Sequence, residues 1–264
     1  MASAQPRLLS EPILRGWAER LQAAAAPGEG EVTLDSPCAG GLLSATLARR
    51  SAAWVLACDA SADELAVAAG EVAAIASGRR PSLIRAESSA LPLGDAVVDA
   101  CVSLFTLPLV RSAPEALREL LRVVRPGGRL LCAAWGDAAR TPHEAALAAA
   151  CEGALGRRSD FVDRTLSLGR QGAPERLIDA AGAEPRVRAV RVRDVVRFDG
   201  ITHYWQAMVA ARPVAGELAG EGPDVLAALR ADCERRLRPW TAADGTMRIP
   251  VEVVLLLAGV EAPP

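Results

Sequence analysis

Glu31-Val-Thr-Leu-Asp-Ser-Pro-Cys-Ala-Gly-Gly41 decides the fold of this chain. An apolar segment reaches an acid at Asp35, passes through small residues, and continues into the helical pattern Leu42-Leu43-Ser44-Ala45-Thr46-Leu47-Ala48-Arg49. Strand, turn and helix in that order open a βαβ crossover. In an open α/β sheet, the turn at the carboxyl end of the first strand is where small ligands bind. Pro37 is unexpected, because it stands where a ligand-cradling turn more usually has glycine.

Outward from this stretch the alternation continues. Residues 8 to 26, with Leu8, Leu9, Ile13, Leu14, Trp17 and Leu21, are spaced as one leading helix or two before Pro27-Gly28. Ala53 to Cys58 reads as a buried strand closed by Asp59, and Ser61 with Glu64 three residues on is a capping-box pattern opening a helix through about Ala76. Further strands are expected at Ser82 to Ala86, Val97 to Leu104 and Arg129 to Trp135. The helix from Pro114 to Val124 stops at Arg125-Pro126-Gly127-Gly128, where proline cannot continue the helix and glycine tolerates positive φ. Near-continuous apolar runs suit parallel strands covered on both faces.

Later segments predict helices at Pro142 to Leu155, Pro174 to Ala181 with Gly182 as its cap, Ile201 to Ala211 and Asp224 to Arg236. Two late strands, Arg186 to Phe198 and Met247 to Ala258, are expected to pair as an antiparallel hairpin at the sheet edge. The fold class is therefore α/β, a doubly wound, mainly parallel, seven-stranded Rossmann-like sheet with extra helices covering the site. We divide it into an N-terminal helical cap (1–30), a ligand-binding core (31–136) and a C-terminal part (137–264) that completes the sheet and lends helices to the acceptor site.

Composition narrows the function classes. Among 264 residues about half are hydrophobic and 23% charged, which excludes a disordered or fibrous chain. The formal charge of -2 gives no reason to expect nucleic acid. All 30 basic residues are arginine, scattered through every segment. The six cysteines (38, 58, 101, 132, 151 and 233) form no Cys-x-x-Cys pair and no zinc spacing, so we expect reduced structural thiols and no metal. Met1 to Glu11 lacks a signal-peptide layout and no apolar run reaches ~18 residues, so a cytoplasmic protein without membrane partners is expected.

Four stretches carry a likeness: Val-Thr-Leu-Asp-Ser-Pro-Cys-Ala-Gly-Gly at 32–41, Val-Leu-Ala-Cys-Asp-Ala-Ser at 55–61, Ala-Glu-Ser-Ser-Ala-Leu-Pro-Leu at 86–93, and Ala-Leu-Arg-Glu-Leu-Leu-Arg-Val-Val-Arg-Pro-Gly-Gly-Arg-Leu at 116–130. Together they resemble the class I S-adenosylmethionine-dependent methyltransferases, in particular the ubiquinone/menaquinone-biosynthesis-like small-molecule group. Residues 238–252 look like the tail of that group.

The resemblance implies S-adenosylmethionine as cofactor, with Asp59 receiving the ribose hydroxyls, Glu87 and Ser88 at the adenine, and Asp35, Cys38, Ala39, Gly41, Ala60 and Ser103 around the rest. Asp59 also reads as a helix N-cap, and Glu87 as a solvated loop acid. Phe105 borders the place where the methionine moiety and acceptor meet. Trp17, His203 and Trp205, with Phe161 and Met208, are candidates to line an apolar or aromatic acceptor pocket, although core packing is the more usual role of such aromatics and Met at helical spacing, and a helix-surface or cap position that of a lone histidine. His143 and His203 are the candidate bases.

The family's turn has three glycines, and the corresponding positions here hold Pro37, Ala39 and Gly41, with an additional Gly40. Pro37 fixes φ and removes an N–H donor, and Ala39 adds a methyl group beside the ligand. Two expectations follow: a methyltransferase of a small-molecule metabolite, acting as a monomer or homodimer, or a relative that does not methylate, such as a cyclase, an isomerase or a binding subunit.

Overall fold

The computed structural model describes residues 12–75, 79–210 and 214–259. The expectations at Met1 to Glu11, Leu8, Leu9, Ala76 and Ala211 fall outside these residues.

Seven strands form one sheet: β1 (Val32–Asp35), β2 (Trp54–Asp59), β3 (Ser82–Arg85), β4 (Val98–Leu104), β5 (Val124–Trp135), β6 (Arg188–Phe198) and β7 (Met247–Ala258). Their order is β3-β2-β1-β4-β5-β7-β6. The first five are mutually parallel, and β7 runs antiparallel to both β5 and β6. The order in which the chain adds strands reverses at β1, between β2 and β4. That reversal opens a crevice at the carboxyl ends of these strands.

Successive side chains on a strand face opposite sides, and both sides here are covered. Leu131 and Ala133 join Val253 and Leu255 in a core shared with Trp17 and Leu21 of α1 (Pro12–Ala25), Leu43 and Leu47 of α2 (Leu42–Arg50), and Leu147 of α5 (Pro142–Leu155). Leu130 and Cys132 join Val254 and Leu256 on the other face, against Leu117 and Leu120 of α4 (Ala113–Val123) and Leu177 and Ile178 of α7 (Ala173–Ala180). This double coverage explains the unbroken apolar runs.

The helix from Ser61 behaves as its sequence suggests. α3 spans Ala62–Ala73, and Ser61 Oγ accepts the Glu64 N–H at 3.3 Å. Gly182, with φ 63°, follows the end of α7, where its N–H donates to Asp179 O at 2.8 Å.

The start of β5 departs from expectation. Pairing with β4 begins at Val98 opposite Val124, five residues before Arg129, then passes a bulge and resumes at Ala100 opposite Arg129. The excursion holds Arg125-Pro126-Gly127-Gly128. Gly127 has φ 77°, and a Cβ on Gly128 would lie 2.8 Å from Asp99 O. Here the Pro-Gly-Gly run does more than end a helix: it permits the bulge. Arg125 closes it with an ion pair to Asp99 at 2.6 Å, and Asp99 Oδ2 also accepts the Val32 N–H at 2.6 Å.

The C-terminal half completes the sheet. β6 and β7 pair over eleven residues, from Arg188 opposite Leu257 to Phe198 opposite Met247. Between them lie α8 (Ile201–Trp205), which continues as a π-helical turn Gln206–Ala210, then α9 (Val214–Glu217) and α10 (Pro223–Leu237). A short α6 (Asp160–Thr165) sits between α5 and α7. All six cysteines are buried and unbridged, as expected of structural thiols. No helix among the described residues is long and apolar enough to cross a membrane.

Candidate active site

A cleft of about 500 Å³ opens where β1, β2, β3 and β4 end. Its wall includes Pro37 and Ala39 from the turn after β1, Asp59, Ala60, Ser61 and Glu64 around the start of α3, and Glu87 and Ser88 after β3. The segment after β4 adds Thr106, Leu109, Val110 and Arg111, and α6 adds Arg164.

The turn after β1 keeps a glycine-like shape with alanine at its middle position. Ala39 has φ 45° and Gly41 φ 83°, both left-handed, and the Ser36-Pro37 peptide is cis. The turn is held against its neighbours by its own polar groups. Ser36 N–H donates to Val102 O at 3.0 Å, Cys38 N–H to Cys58 O at 2.8 Å, and Gly41 N–H to Cys38 O at 2.9 Å. Thr106 Oγ1 donates to Pro37 O at 2.8 Å, and Ser36 and Ser88 hydroxyls lie 2.8 Å apart. A Cβ on Gly41 would meet Ala68 Cβ at 2.8 Å, so this glycine also permits close packing of the turn on α3.

Asp59 organises the entrance. Its Oδ2 accepts the Ala39 N–H and its Oδ1 accepts the Ser61 N–H, each at 2.9 Å. A carboxylate has about four lone-pair sites, so two remain for a ligand's hydroxyls. The N-cap of α3 is Ser61, which corrects the alternative reading of Asp59 as the cap.

Below the turn, Asp35 is 1% exposed and its Oδ2 accepts the Ser44 hydroxyl at 2.5 Å. Burial pushes its pKa up to about 7, against the Ser44 hydrogen bonds that favour the ion. Its Oδ1 is buried without a hydrogen-bond partner. Burial likewise raises the Cys58 thiol to about 11, and the Cys38 thiol further still. At neutral pH both thiols remain protonated, which makes them poor nucleophiles.

The residues implied by the resemblance thus separate into two layers. Ala39, Asp59, Ala60, Glu87 and Ser88 line the cleft. Asp35, Cys38, Gly41 and Ser103 lie buried behind it, Ser103 with its hydroxyl 3.0 Å from Thr106 Oγ1. Sequence reasoning missed Thr106, Leu109, Val110, Arg111 and Arg164. Thr106 and the three that follow could have been found from their place just after β4, whereas nothing local marks Arg164, which a later helix brings in.

The aromatic candidates gather elsewhere. Trp17 packs edge-on against Phe105 (6.3 Å), which stacks on Trp135 (4.1 Å), and Trp135 meets His143 edge-on (4.7 Å). The series continues through Phe198 to His203 and Tyr204. Trp17, Phe105, Phe198, Tyr204 and Met208 are buried members of one core, with Phe161 and Trp205 packed against it. His143 is 1% exposed, and the His203 ring nitrogen Nδ1 accepts the Asp199 N–H at 3.1 Å. None of these residues lines the cleft.

A second polar cluster lies beyond β5. Glu252, buried on β7, pairs with Arg191 at 2.6 Å and Arg140 at 3.0 Å and accepts the Asp137 N–H at 3.3 Å. Burial alone would raise its pKa, but these partners outweigh it and hold the carboxyl below its usual range. Among the described residues no group of three or more His, Cys, Asp or Glu side chains could hold a metal ion.

Comparison with known proteins agrees with this geometry. Residues 34–132 match the family model of a methyltransferase domain. Demethylmenaquinone methyltransferase of Mycobacterium tuberculosis (strain ATCC 25618 / H37Rv) is 35% identical over 153 residues, 58% of this chain and 60% of that protein. The enzyme of the same name from Thermobifida fusca (strain YX) is 37% identical over 125 residues, 47% of this chain and 52% of that protein. The chain thus spans about 60% of the length of the first of these relatives. Among solved structures, the YcgJ protein of Bacillus subtilis aligns with a TM-score of 0.61 at 11% identity, covering 96% of this chain and 99% of that one. The [4+2]-cyclase SpnF aligns with a TM-score of 0.56 at 18% identity, covering 92% and 80%. At these identities the structural likeness shows the fold alone. Strand order, the matched domain and the related sequences agree: residues 34–132 are similar to a methyltransferase domain, and over 58% of its length the chain is similar to demethylmenaquinone methyltransferase.

Proposed function

We propose that the protein transfers the methyl group of S-adenosylmethionine to a small-molecule acceptor. One observation carries the reading: in a chain with a methyltransferase domain, the cleft at the carboxyl ends of the parallel strands has Asp59 on its wall with lone pairs to spare.

The residues fit the cofactor. Asp59 would receive the ribose hydroxyls, Glu87 and Ser88 would meet the adenine, and the turn from Pro37 to Gly41 would border the methionine end. The unpartnered Asp35 Oδ1 below the turn, in a carboxyl raised toward neutrality, keeps the floor of this region from carrying a full negative charge. When bound, the cofactor supplies an already activated methyl group, so the protein's contribution is placement. The chain needs a base only for an acceptor that must lose a proton. Since neither histidine lines the cleft, placement is the role assigned to it.

The relatives named as methyltransferases favour this reading over a non-methylating one. The partner proposed is a small molecule, without nucleic acid or membrane, bound by a monomer or homodimer. Six buried free thiols support a reducing, cytoplasmic location. Titration of the purified protein with S-adenosylmethionine by calorimetry tests the reading. Saturable heat is expected, and no heat at millimolar cofactor overturns it.

A further inference from the structure

Two arginines line the cleft, and neither is paired with an acid among the described residues. Arg111 follows the turn after β4, is exposed, and makes no hydrogen bond or ion pair among the described residues. Arg164 reaches from α6 to this segment, where its Nη2 donates to Val110 O at 3.0 Å and also to Leu109 O. These two carbonyls belong to the residues just before Arg111, so Arg164 is anchored to the segment that carries Arg111. No carboxylate among the described residues is within ion-pair distance of either guanidinium. Elsewhere arginines do find acids: Arg122 pairs with Asp95 and Glu119, and Arg191 and Arg140 pair with Glu252.

The same cleft also has apolar lining. Leu109 and Val110 lie beside the arginines, and Pro37 also borders the cleft. The aromatic residues that could have formed a fully apolar acceptor pocket are packed into the core instead. A guanidinium presents a planar fork of donors suited to carboxylate or phosphate, and the partner suited to two guanidiniums lining one cleft is an anion.

We propose that Arg111 and Arg164 form an anion subsite of the cleft, which takes the carboxylate or phosphate group of a small molecule whose apolar body lies on Leu109 and Val110. The anion has two sources, the acceptor or the amino-acid carboxylate of the cofactor, and both present the same chemistry. In identifying a class of acceptor the inference rests on the methyltransferase reading, but the subsite itself is defined by the residues alone.

The test titrates the full chain, both ligand-free and saturated with S-adenosylhomocysteine, with benzoate, phenyl phosphate and the neutral benzamide. S-adenosylhomocysteine is compared in parallel with 5′-methylthioadenosine, which lacks the amino-acid carboxylate. Benzoate and phenyl phosphate are expected to bind about tenfold tighter than benzamide. Arg111→Gln should abolish that preference without changing benzamide binding, and Arg111→Lys should restore part of it. If Arg111→Gln instead narrows the gap between S-adenosylhomocysteine and 5′-methylthioadenosine, the subsite stands and its anion belongs to the cofactor. If neither the benzoate preference nor that gap responds to Arg111→Gln, the subsite is overturned. Should S-adenosylhomocysteine give no heat, the methyltransferase reading falls, and the titrations of the ligand-free protein still decide the subsite. Arg111 is exposed, and matched unfolding curves of the variants confirm that a lost preference is not lost folding.

Discussion

The Ala39 N–H donates to Asp59 Oδ2 at 2.9 Å, so the middle position of the degenerate glycine turn is tied to the acid at the end of the second strand. The ribose candidate is therefore also a structural clamp, because its other oxygen holds the Ser61 N–H. Asp59→Ala should both reduce cofactor binding and lower stability, the latter by about 1 to 3 kcal/mol as two amides lose their acceptor. Asp59→Asn, which retains one acceptor oxygen, should cost less stability. Urea unfolding read beside calorimetric titration separates the effects. An unchanged unfolding midpoint in Asp59→Ala would contradict the clamp.

Ala39→Gly should stabilise the turn. A left-handed φ costs a residue with a Cβ roughly 1 kcal/mol, against which the greater unfolded-state freedom of glycine subtracts part. The removed methyl group also widens the cleft. Tighter binding of S-adenosylmethionine with stability unchanged or higher is the expected result of paired calorimetry and unfolding. Weaker binding would show that the methyl group contacts the ligand favourably.

Gly41→Ala should behave in the opposite way. Its φ is 83° and the new Cβ would lie 2.8 Å from Ala68 Cβ, so the turn and α3 must move apart. A loss on the order of 1 to 3 kcal/mol is expected from conformational strain and overpacking. Ala68→Gly in the same chain should recover the packing share alone, which a double-mutant cycle measures.

Asp35 makes stability fall as the pH rises. Its folded pKa is about 7, above the usual 3.8, so between these values the native state holds more protons than the unfolded state. The associated stability is complete below pH 3.8 and is lost as the pH climbs through about 7, at up to ~1.4 kcal/mol per pH unit for one group. Asp35→Asn removes this dependence. The melting temperature of the variant relative to the wild type should therefore improve from pH 5 to pH 8, and a difference independent of pH would refute the assignment.

Glu252 has the reverse sign. Its carboxyl is held below the usual 4.5, so its contribution is present above that value and disappears as the pH falls through the lower folded value. Glu252→Ala should cost about 1 to 2 kcal/mol at pH 7, because the Asp137 N–H, Arg191 and Arg140 lose their shared acceptor while both guanidiniums can turn to water. Restoring only the hydrogen bonds with Glu252→Gln should recover part of the loss in thermal unfolding at pH 7.

The fold was legible wherever the signal was local. Apolar runs located β1, β2 and β7, and Ser61, Gly182 and Pro142 marked helix ends at or beside their observed positions. The beginning of β5 was not, because a bulge is defined by the strand opposite, here through Asp99. The candidate site divides similarly. Residues immediately after a strand, such as Asp59, Glu87 and Ser88, could be placed by counting from the strand ends. Trp17, Phe105 and Trp135 have the same residue types in a core as in a pocket, and only packing distinguishes them. Arg164 reaches the cleft through tertiary contact, 55 residues beyond the carbonyl of Leu109 that it holds.

The strand order also leaves two ends of the sheet without a neighbour, and the chain guards them differently. β3 has only four residues, too short a template for another chain. β6 is long, but Arg188, Arg193 and Arg197 are exposed along it. A second sheet approaching that edge would bring its own row of arginines against the first, and like charge disfavours the pairing. The cation-rich edge thus serves as a barrier to aggregation, placed on the strand that most needs one.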